Sequence, residues 1–282
     1  MWARRQLGLA ALMTAGTVIL SAGGPAAAAA VDVRPVAGAT QVASVKAGTP
    51  VKAGAAVMTG AAVMAGAVIA PDKPLKLGSK GSAVKWLQQR LKDLRYLPGR
   101  VDGRYGGSTL AAVWAFQKVN GIKPSSTVGK RTWAALESPK SPKILVPGGK
   151  PTRAEVNLAK QVMVLYVDGQ VKLITHISSG SGVPYCETAV WQGKSQRFCG
   201  SATTPTGDFK TTWRASGWHR SYLGQLYNPI FFNGGIAFHG ALSVPLYPAS
   251  HGCVRLPMNV AGVLPGLLGK GVPVHVRGRF QR

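Results

Sequence analysis

The chain has 282 residues, 34 of them Lys or Arg and only 9 Asp or Glu, for a formal net charge of +25. That length allows one or two domains, each able to bury a core without extra staples. The charge excludes nothing about fold, but it predicts attraction to polyanions: nucleic acid, an anionic membrane surface, or an anionic envelope polymer.

The N-terminus decides among them. Arg4 and Arg5 precede the uncharged stretch Leu7 to Leu20, and small residues run from Ser21 to Ala30. A basic segment, a short apolar segment and small residues form an export signal over residues 1–30. The alternative is a membrane anchor, but Gly23, Gly24 and Pro25 interrupt the roughly 20 strongly apolar residues that a spanning helix needs. Export leaves nucleic acid a poor partner, confines membrane contact to the export step, and makes anionic wall polymers the best match for the charge. Residues 31–74 are rich in Ala, Val, Gly, Lys and Pro. Gly48, Gly54, Gly60 and Gly66 mark a six-residue repeat with too few copies to stack into a β-helix, so this segment reads as a spacer.

From Leu75 the pattern becomes helical. Val84, Leu87, Leu91 and Leu94 recur at helix spacing, with Ser82 as N-cap and Pro98-Gly99 as the stop. A turn around Asp102-Gly103 leads to a second helix carrying Leu110, Val113, Trp114 and Phe116. A third, short helix carries Trp133 and Leu136. Three helices over residues 75–137 predict a small bundle, and Tyr105, beside a glycine turn, is placed as an exposed ring for stacking on a sugar. The run Val101-Asp102-Gly103, Tyr105-Gly106, Thr109, Ala112-Val113, Phe116-Gln117, Gly121 and Thr132-Trp133 resembles the peptidoglycan-binding type 1 domain. That resemblance implies wall glycan as ligand.

Residues 138–152, with prolines at 139, 142, 147 and 151, read as a stiff linker holding two domains apart. Beyond it the period becomes two. Strands are expected at 156–158, 162–167, 171–177, 207–212, 235–238 and 272–276, with a tight hairpin at Asp168-Gly169 and a helix over 257–268. This half, residues 153–277, is mostly β, and 278–282 form a basic tail. Arg277, Arg279 and Arg282 read as solvated. His176, His219 and His275 read as surface or strand histidines, while Tyr222, Tyr227, Phe231 and Phe232 serve core packing or line a peptide groove.

The chemistry lies in Phe238-His239-Gly240 and Ser250-His251-Gly252-Cys253-Val254-Arg255. A free thiol titrates near about 8.5, so little of it is thiolate at neutrality, and a neighbouring imidazolium favours the anion. Gly252 allows a tight bend that aims backbone N–H groups at an oxyanion. Arg255 supplies positive charge for an acidic substrate. The residues alone leave three readings open: a nucleophilic thiol, a zinc site short of a fourth ligand, and a buried structural cysteine.

Ser-His-Gly-Cys-Val-Arg preceded by His-Gly resembles the signature of the YkuD-type L,D-transpeptidase domain, and the likeness runs from about Ala154 to Val276, including Thr204-Pro205-Thr206-Gly207. It implies a multidomain α and β protein: a three-helix wall-binding module followed by a β-rich sandwich. Cys253 would be the nucleophile and His239 the proton carrier, with His251 and Gly252 in the catalytic loop and Ser250 and Arg255 facing substrate. The implied reaction cross-links peptidoglycan stem peptides through a thioester, needs no cofactor or metal, and is carried out by a secreted monomer. L,D-carboxypeptidase action on the same site, or wall binding without catalysis, are the alternatives. Two features depart from the signature. Gly240 offers no side chain to orient the imidazole, so a backbone carbonyl must do so. Cys186 and Cys199 flank an insertion; in an oxidising envelope they would pair, leave Cys253 free, and shape the rim of the cleft.

Overall fold

The computed structural model of the protein describes residues 74–281. The expected export signal lies outside these residues, as does all but the last residue of the spacer. No helix among the described residues is long and apolar enough to cross a membrane.

The first module opens with β1 (Leu75–Lys76) and α1 (Ser82–Asp93), continues with α2 (Gly107–Val119), and closes with β2 (Thr127–Val128), paired antiparallel to β1, and α3 (Lys130–Glu137). Val84, Leu87 and Leu91 of α1 are fully buried, as the helical spacing requires. Two boundaries differ from expectation. Gly81, not Ser82, is the N-cap, and no side chain caps it. The helix ends at Asp93, ahead of Pro98-Gly99, because Arg95 turns left-handed at φ 69°. Tyr96 N then donates to Leu91 O at 2.9 Å.

The second module runs β3 (Arg153–Asn157), β4 (Val162–Val167), β5 (Gln170–His176), β6 (Pro184–Trp191), β7 (Lys194–Ser201), β8 (Gly207–Lys210), β9 (Trp218–Ser221), β10 (Gly224–Asn233), β11 (Ile236–Gly240), β12 (Val254–Leu256), α4 (Met258–Leu267) and β13 (Pro273–Arg277). One sheet has the order β5-β4-β3-β13-β8, the other β12-β11-β10-β9, and β6-β7 is a separate hairpin. Asp168 and Gly169 both take positive φ, 50° and 78°, as a two-residue hairpin turn demands. The core holds Val156, Met163, Leu165, Phe232, Phe238, Val254, Leu256, Leu264 and Val274. Phe231 and Phe232 are buried, in keeping with core packing.

The linker does not hold the modules apart. Strand β4, Val-Met-Val-Leu-Tyr-Val, is apolar on both faces, the pattern of a strand covered on both sides. Met163 and Leu165 enter the core of the sandwich, while Val162, Val164 and Tyr166 join a second core with Leu87, Leu91, Tyr96 and Phe116 of the helical module. Ile174 N donates to Arg95 O at 2.9 Å, and Asn259 Nδ2 to Leu97 O at 2.9 Å. The linker is itself tied down: Lys140 N donates to Asn120 Oδ1 at 2.8 Å and Leu145 N to Glu155 Oε2 at 2.7 Å.

His176, read as a surface or strand histidine, is the last residue of β5. It is fully buried at this seam. Its Nδ1 lies 2.7 Å from Lys118 Nζ and its Nε2 2.9 Å from the Val244 carbonyl, so Nε2 carries the hydrogen and Nδ1 accepts from the lysine. Burial pulls His176 down to about 3 and Lys118 to about 7. Arg277 also departs from the solvated reading: it lies in β13, paired with Asp208 at 2.6 Å. His275, on the same strand, meets that carboxylate too.

Candidate active site

Strands β11 and β12 run parallel, with Phe238 opposite Val254 and His239 opposite Arg255. Side chains alternate along a strand. Phe238, Val254 and Leu256 point into the sandwich core. His239 and Arg255 therefore share the other face, and Cys253 sits in the bend that leads into β12, where the charge of Arg255 acts on both the thiol and the imidazole. Gly240 belongs to the core side and lets α4 approach: a Cβ there would lie 2.8 Å from Ala261 Cβ, 3.0 Å from Met258 Sδ and 3.1 Å from Tyr227 Cδ1.

His239 is only 6% exposed, and its Nδ1 lies 2.9 Å from the Gly240 carbonyl. That contact assigns the hydrogen to Nδ1 and leaves Nε2 as a proton acceptor. The orienting group is thus a backbone carbonyl, as the absence of a side chain at 240 requires. Burial, reinforced by the charge of Arg255, lowers His239 to about 4 despite the bond to Gly240. Cys253 is a free, half-buried thiol. Burial pushes it above its ordinary value, against the opposing pull of a backbone hydrogen bond at Ala237 and of Arg255.

Both shifts oppose the thiolate–imidazolium pair expected from the sequence, because desolvation penalises both charges. Nor are the two hydrogen-bonded: the thiol donates to the Gly235 carbonyl at 3.6 Å. Such contacts commonly tighten only when substrate is bound. Arg255 has no carboxylate partner among the described residues, and burial lowers its pKa. A half-buried guanidinium without a carboxylate partner keeps donors available to an anion.

The loop before Cys253 is braced from behind. Ser250, expected to face substrate, is instead 3% exposed, and its Oγ donates to the Cys253 carbonyl and accepts from Gly252 N at 3.1 Å. Its hydroxyl is consumed in holding the bend. Gly252 sits at φ 134°, and a Cβ there would lie 3.1 Å from the Thr203 carbonyl. Its amide is thus taken by Ser250 rather than aimed at an oxyanion. Thr204, part of the sequence motif but given no role there, donates from Oγ1 to the Gly252 carbonyl at 2.6 Å and accepts from Gly180 N at 2.8 Å.

The His251 side chain is engaged by hairpin β6-β7. Its Nε2 lies 2.7 Å from Glu187 Oε1, and the Tyr185 ring stands edge-on to it with centroids 4.7 Å apart. This ring is thereby tied to hairpin β6-β7. The hairpin carries the Cys186–Cys199 disulfide, as expected, and leaves Cys253 free. Cys186 and Cys199 are directly cross-strand, so Tyr185, Glu187, Trp191 and Phe198 occupy the opposite face. That face meets the protein: Phe198 stacks on Tyr222 at 4.2 Å and Trp191 stands edge-on to the same ring. Through Glu187 and Tyr185 the hairpin therefore borders the loop that precedes Cys253. Tyr185 and Glu187 were given no role by sequence reasoning, whereas Tyr222, read as core packing or groove lining, is the ring on which the hairpin rests. The only local signal was the alternation of Tyr185, Glu187 and Trp191 around Cys186.

Tyr105 is not an exposed sugar platform. It is 2% exposed, and its hydroxyl has no hydrogen-bond partner. Gly78 N donates to Tyr105 O and Tyr105 N to Ser79 O, folding this residue into the module's core. Burial raises its phenol.

The family model for an L,D-transpeptidase catalytic domain (YkuD) matches residues 151–276, and that for a peptidoglycan binding domain matches residues 80–136. A crystal structure of an L,D-transpeptidase from Xylanimonas cellulosilytica is 38% identical, covering 73% of this chain and 98% of that one, with a TM-score of 0.65. An L,D-transpeptidase from Stackebrandtia nassauensis is 26% identical over 73% of this chain and 96% of that one, with a TM-score of 0.41. An uncharacterized protein of Kitasatospora aureofaciens is 47% identical over 64 residues, 22% of this chain. The match spans 54% of that relative's own length.

Proposed function

We propose, from the premise that this chain belongs to the L,D-transpeptidase (YkuD) family and carries a peptidoglycan-binding module, that it is an exported enzyme cross-linking stem peptides through a thioester on Cys253. The observation that carries this reading is the pairing of His239 with Arg255 across β11 and β12, at the end of the bend that holds Cys253. An imidazole with a fixed Nδ1–H, an unpaired guanidinium and a free thiol thus meet at one strand junction.

Desolvation of both groups defines the first step. Substrate binding draws the thiol from the Gly235 carbonyl toward His239, whose Nε2 takes the proton as sulfur attacks the stem carbonyl between the L and D centres. Arg255 receives the substrate carboxylate. Because the Gly252 amide is bound to Ser250, the neighbouring N–H groups of His251 and Cys253 support the oxyanion. The C–N bond breaks, the leaving amine takes the proton from His239, and the thioester remains. An acceptor amine then attacks the thioester, passing its proton to His239 and on to the departing sulfur. The products are a new amide and the original thiol. Thr204 and Ser250 position the loop throughout.

The test is intact-mass analysis of the full chain mixed with a soluble tetrapeptide donor. One acyl adduct should appear, mapping to Cys253, and should vanish on adding an acceptor amine as cross-linked product accumulates. The Cys253→Ala variant should form neither. Cross-linking that survives this substitution refutes the assignment.

A further inference from the structure

With Tyr105 buried, the helical module lacks the ring that sequence reasoning offered to the wall. A different feature takes its place: a groove of about 950 Å³ along the seam between α1, the turn before α2, and α4 of the β-rich module. Three exposed cations line it, Lys92, Arg100 and Arg104, and none is in an ion pair among the described residues. The single carboxylate there, Asp102, is already engaged. Gln88 Nε2 donates to it at 3.0 Å and Arg104 N at 2.9 Å, and these bonds, with the charge of Arg100, hold it below the usual carboxylate range. The groove therefore presents a net positive surface.

Its far wall is of another kind. Val263 of α4 is 45% exposed, an apolar surface inside a cationic groove. Asn259, one turn earlier, donates its Nδ2 to Leu97 O, leaving its side-chain oxygen for a ligand N–H. A simple polyanion has no use for the valine and the amide acceptor, and an apolar ligand has no use for three cations. A ligand that alternates carboxylates with amides, methyl groups and sugar rings uses all of them.

We infer that this seam groove binds the carboxylate-bearing glycopeptide strand of the wall, with Lys92, Arg100 and Arg104 on its carboxylates and Asn259 and Val263 on its amide and apolar parts. The inference rests on the peptidoglycan reading above and deepens it: the grip belongs to both modules together. Helix α4 also backs the catalytic strand, since Ala261 and Met258 abut Gly240. A strand seated in the groove is thereby tethered to the element that supports His239.

The experiment is co-sedimentation of the full chain with purified sacculi, stripped of phosphate-containing secondary polymers or left unstripped, across a salt series. Sedimentation needs no turnover, so an inactive enzyme and an empty groove give different results. The Arg100→Ala/Arg104→Ala double variant should need about tenfold more stripped sacculi for half-binding, since each exposed ion pair lost accounts for up to about 1 kcal/mol. Its salt dependence should also be shallower. Val263→Glu, which places a carboxylate on the α4 wall, should weaken binding by a similar factor while circular dichroism and melting remain those of the parent. Unchanged binding by the double arginine variant overturns the groove. Unchanged binding by Val263→Glu overturns the part assigned to α4. Binding seen only with unstripped sacculi overturns the carboxylate assignment in favour of phosphate.

Discussion

Gly240→Ala tests how closely the reaction depends on the fit between α4 and the His239 strand. The new methyl would lie 2.8 Å from Ala261 Cβ, a short side chain on a packed helix that cannot swing aside. The contacts at 3.0 Å to Met258 Sδ and 3.1 Å to Tyr227 Cδ1 are with side chains able to yield. Overpacking of this kind costs roughly 1–3 kcal/mol, lowering the melting temperature by roughly 2–10 °C for a chain of this size. The larger effect is on rate. Gly240 supplies the carbonyl that fixes His239 Nδ1, so moving its backbone moves the base, and a displacement near 1 Å costs about a hundredfold. Acylation by a soluble tetrapeptide, followed by mass, should fall accordingly. Adding Ala261→Gly removes the tightest contact and should restore most of the rate, although glycine in the helix itself costs about 1 kcal/mol in stability. Normal acylation in Gly240→Ala, or a double variant no faster than the single one, refutes the packing argument.

Three further outcomes follow from the structure. Burial raises the Cys253 thiol, so its anion is scarce at neutrality and appears only as pH climbs past the ordinary thiol range. Alkylation by iodoacetamide in the substrate-free enzyme should therefore rise with an inflection above about 8.5, whereas a flat plateau in mild acid would reveal a preformed thiolate–imidazolium pair. Replacing Cys186 and Cys199 by serine releases a cross-link between residues 13 apart, a loop closure of about 3 kcal/mol in the chain-entropy model. Amide exchange should accelerate in β6 and β7 and stay unchanged in β3, β4 and β13; uniform acceleration would mean that the hairpin is an integral part of the global fold. Tyr105→Phe removes a buried hydroxyl without a partner, which should leave stability unchanged or raise it by about 1 kcal/mol. Wall binding should persist, and its loss would restore Tyr105 as a ligand contact.

Much of the fold was legible because its signals are local. The periodicity of Val84, Leu87 and Leu91 gives α1, and Asp168-Gly169 gives the β4-β5 turn, since only residues tolerant of positive φ close a two-residue hairpin. Hairpin β6-β7 was missed because its strands are largely exposed and lack an apolar period, so their order depends on the disulfide and on contacts with Tyr222 and His251. The join between modules was hidden for a related reason. Proline content describes the linker's stiffness but not its route, and only the two-sided apolar run of β4 hinted that a second core lay behind it.

The sequence by itself determined the residue types of the candidate site, the free thiol beside a pairing of Cys186 with Cys199, and the order of the two modules, because these depend on chain neighbours and composition. Tertiary structure decided what each group has left to offer. It committed the side chains of His251 and Ser250 to Glu187 and to the backbone of the loop before Cys253, buried Tyr105 and His176, and desolvated Cys253 and His239 so that burial disfavours the charged form of each. The physical reason is desolvation and competition for hydrogen bonds: a side chain's charge and free valences are set by whatever packs around it, and those neighbours come from distant parts of the chain.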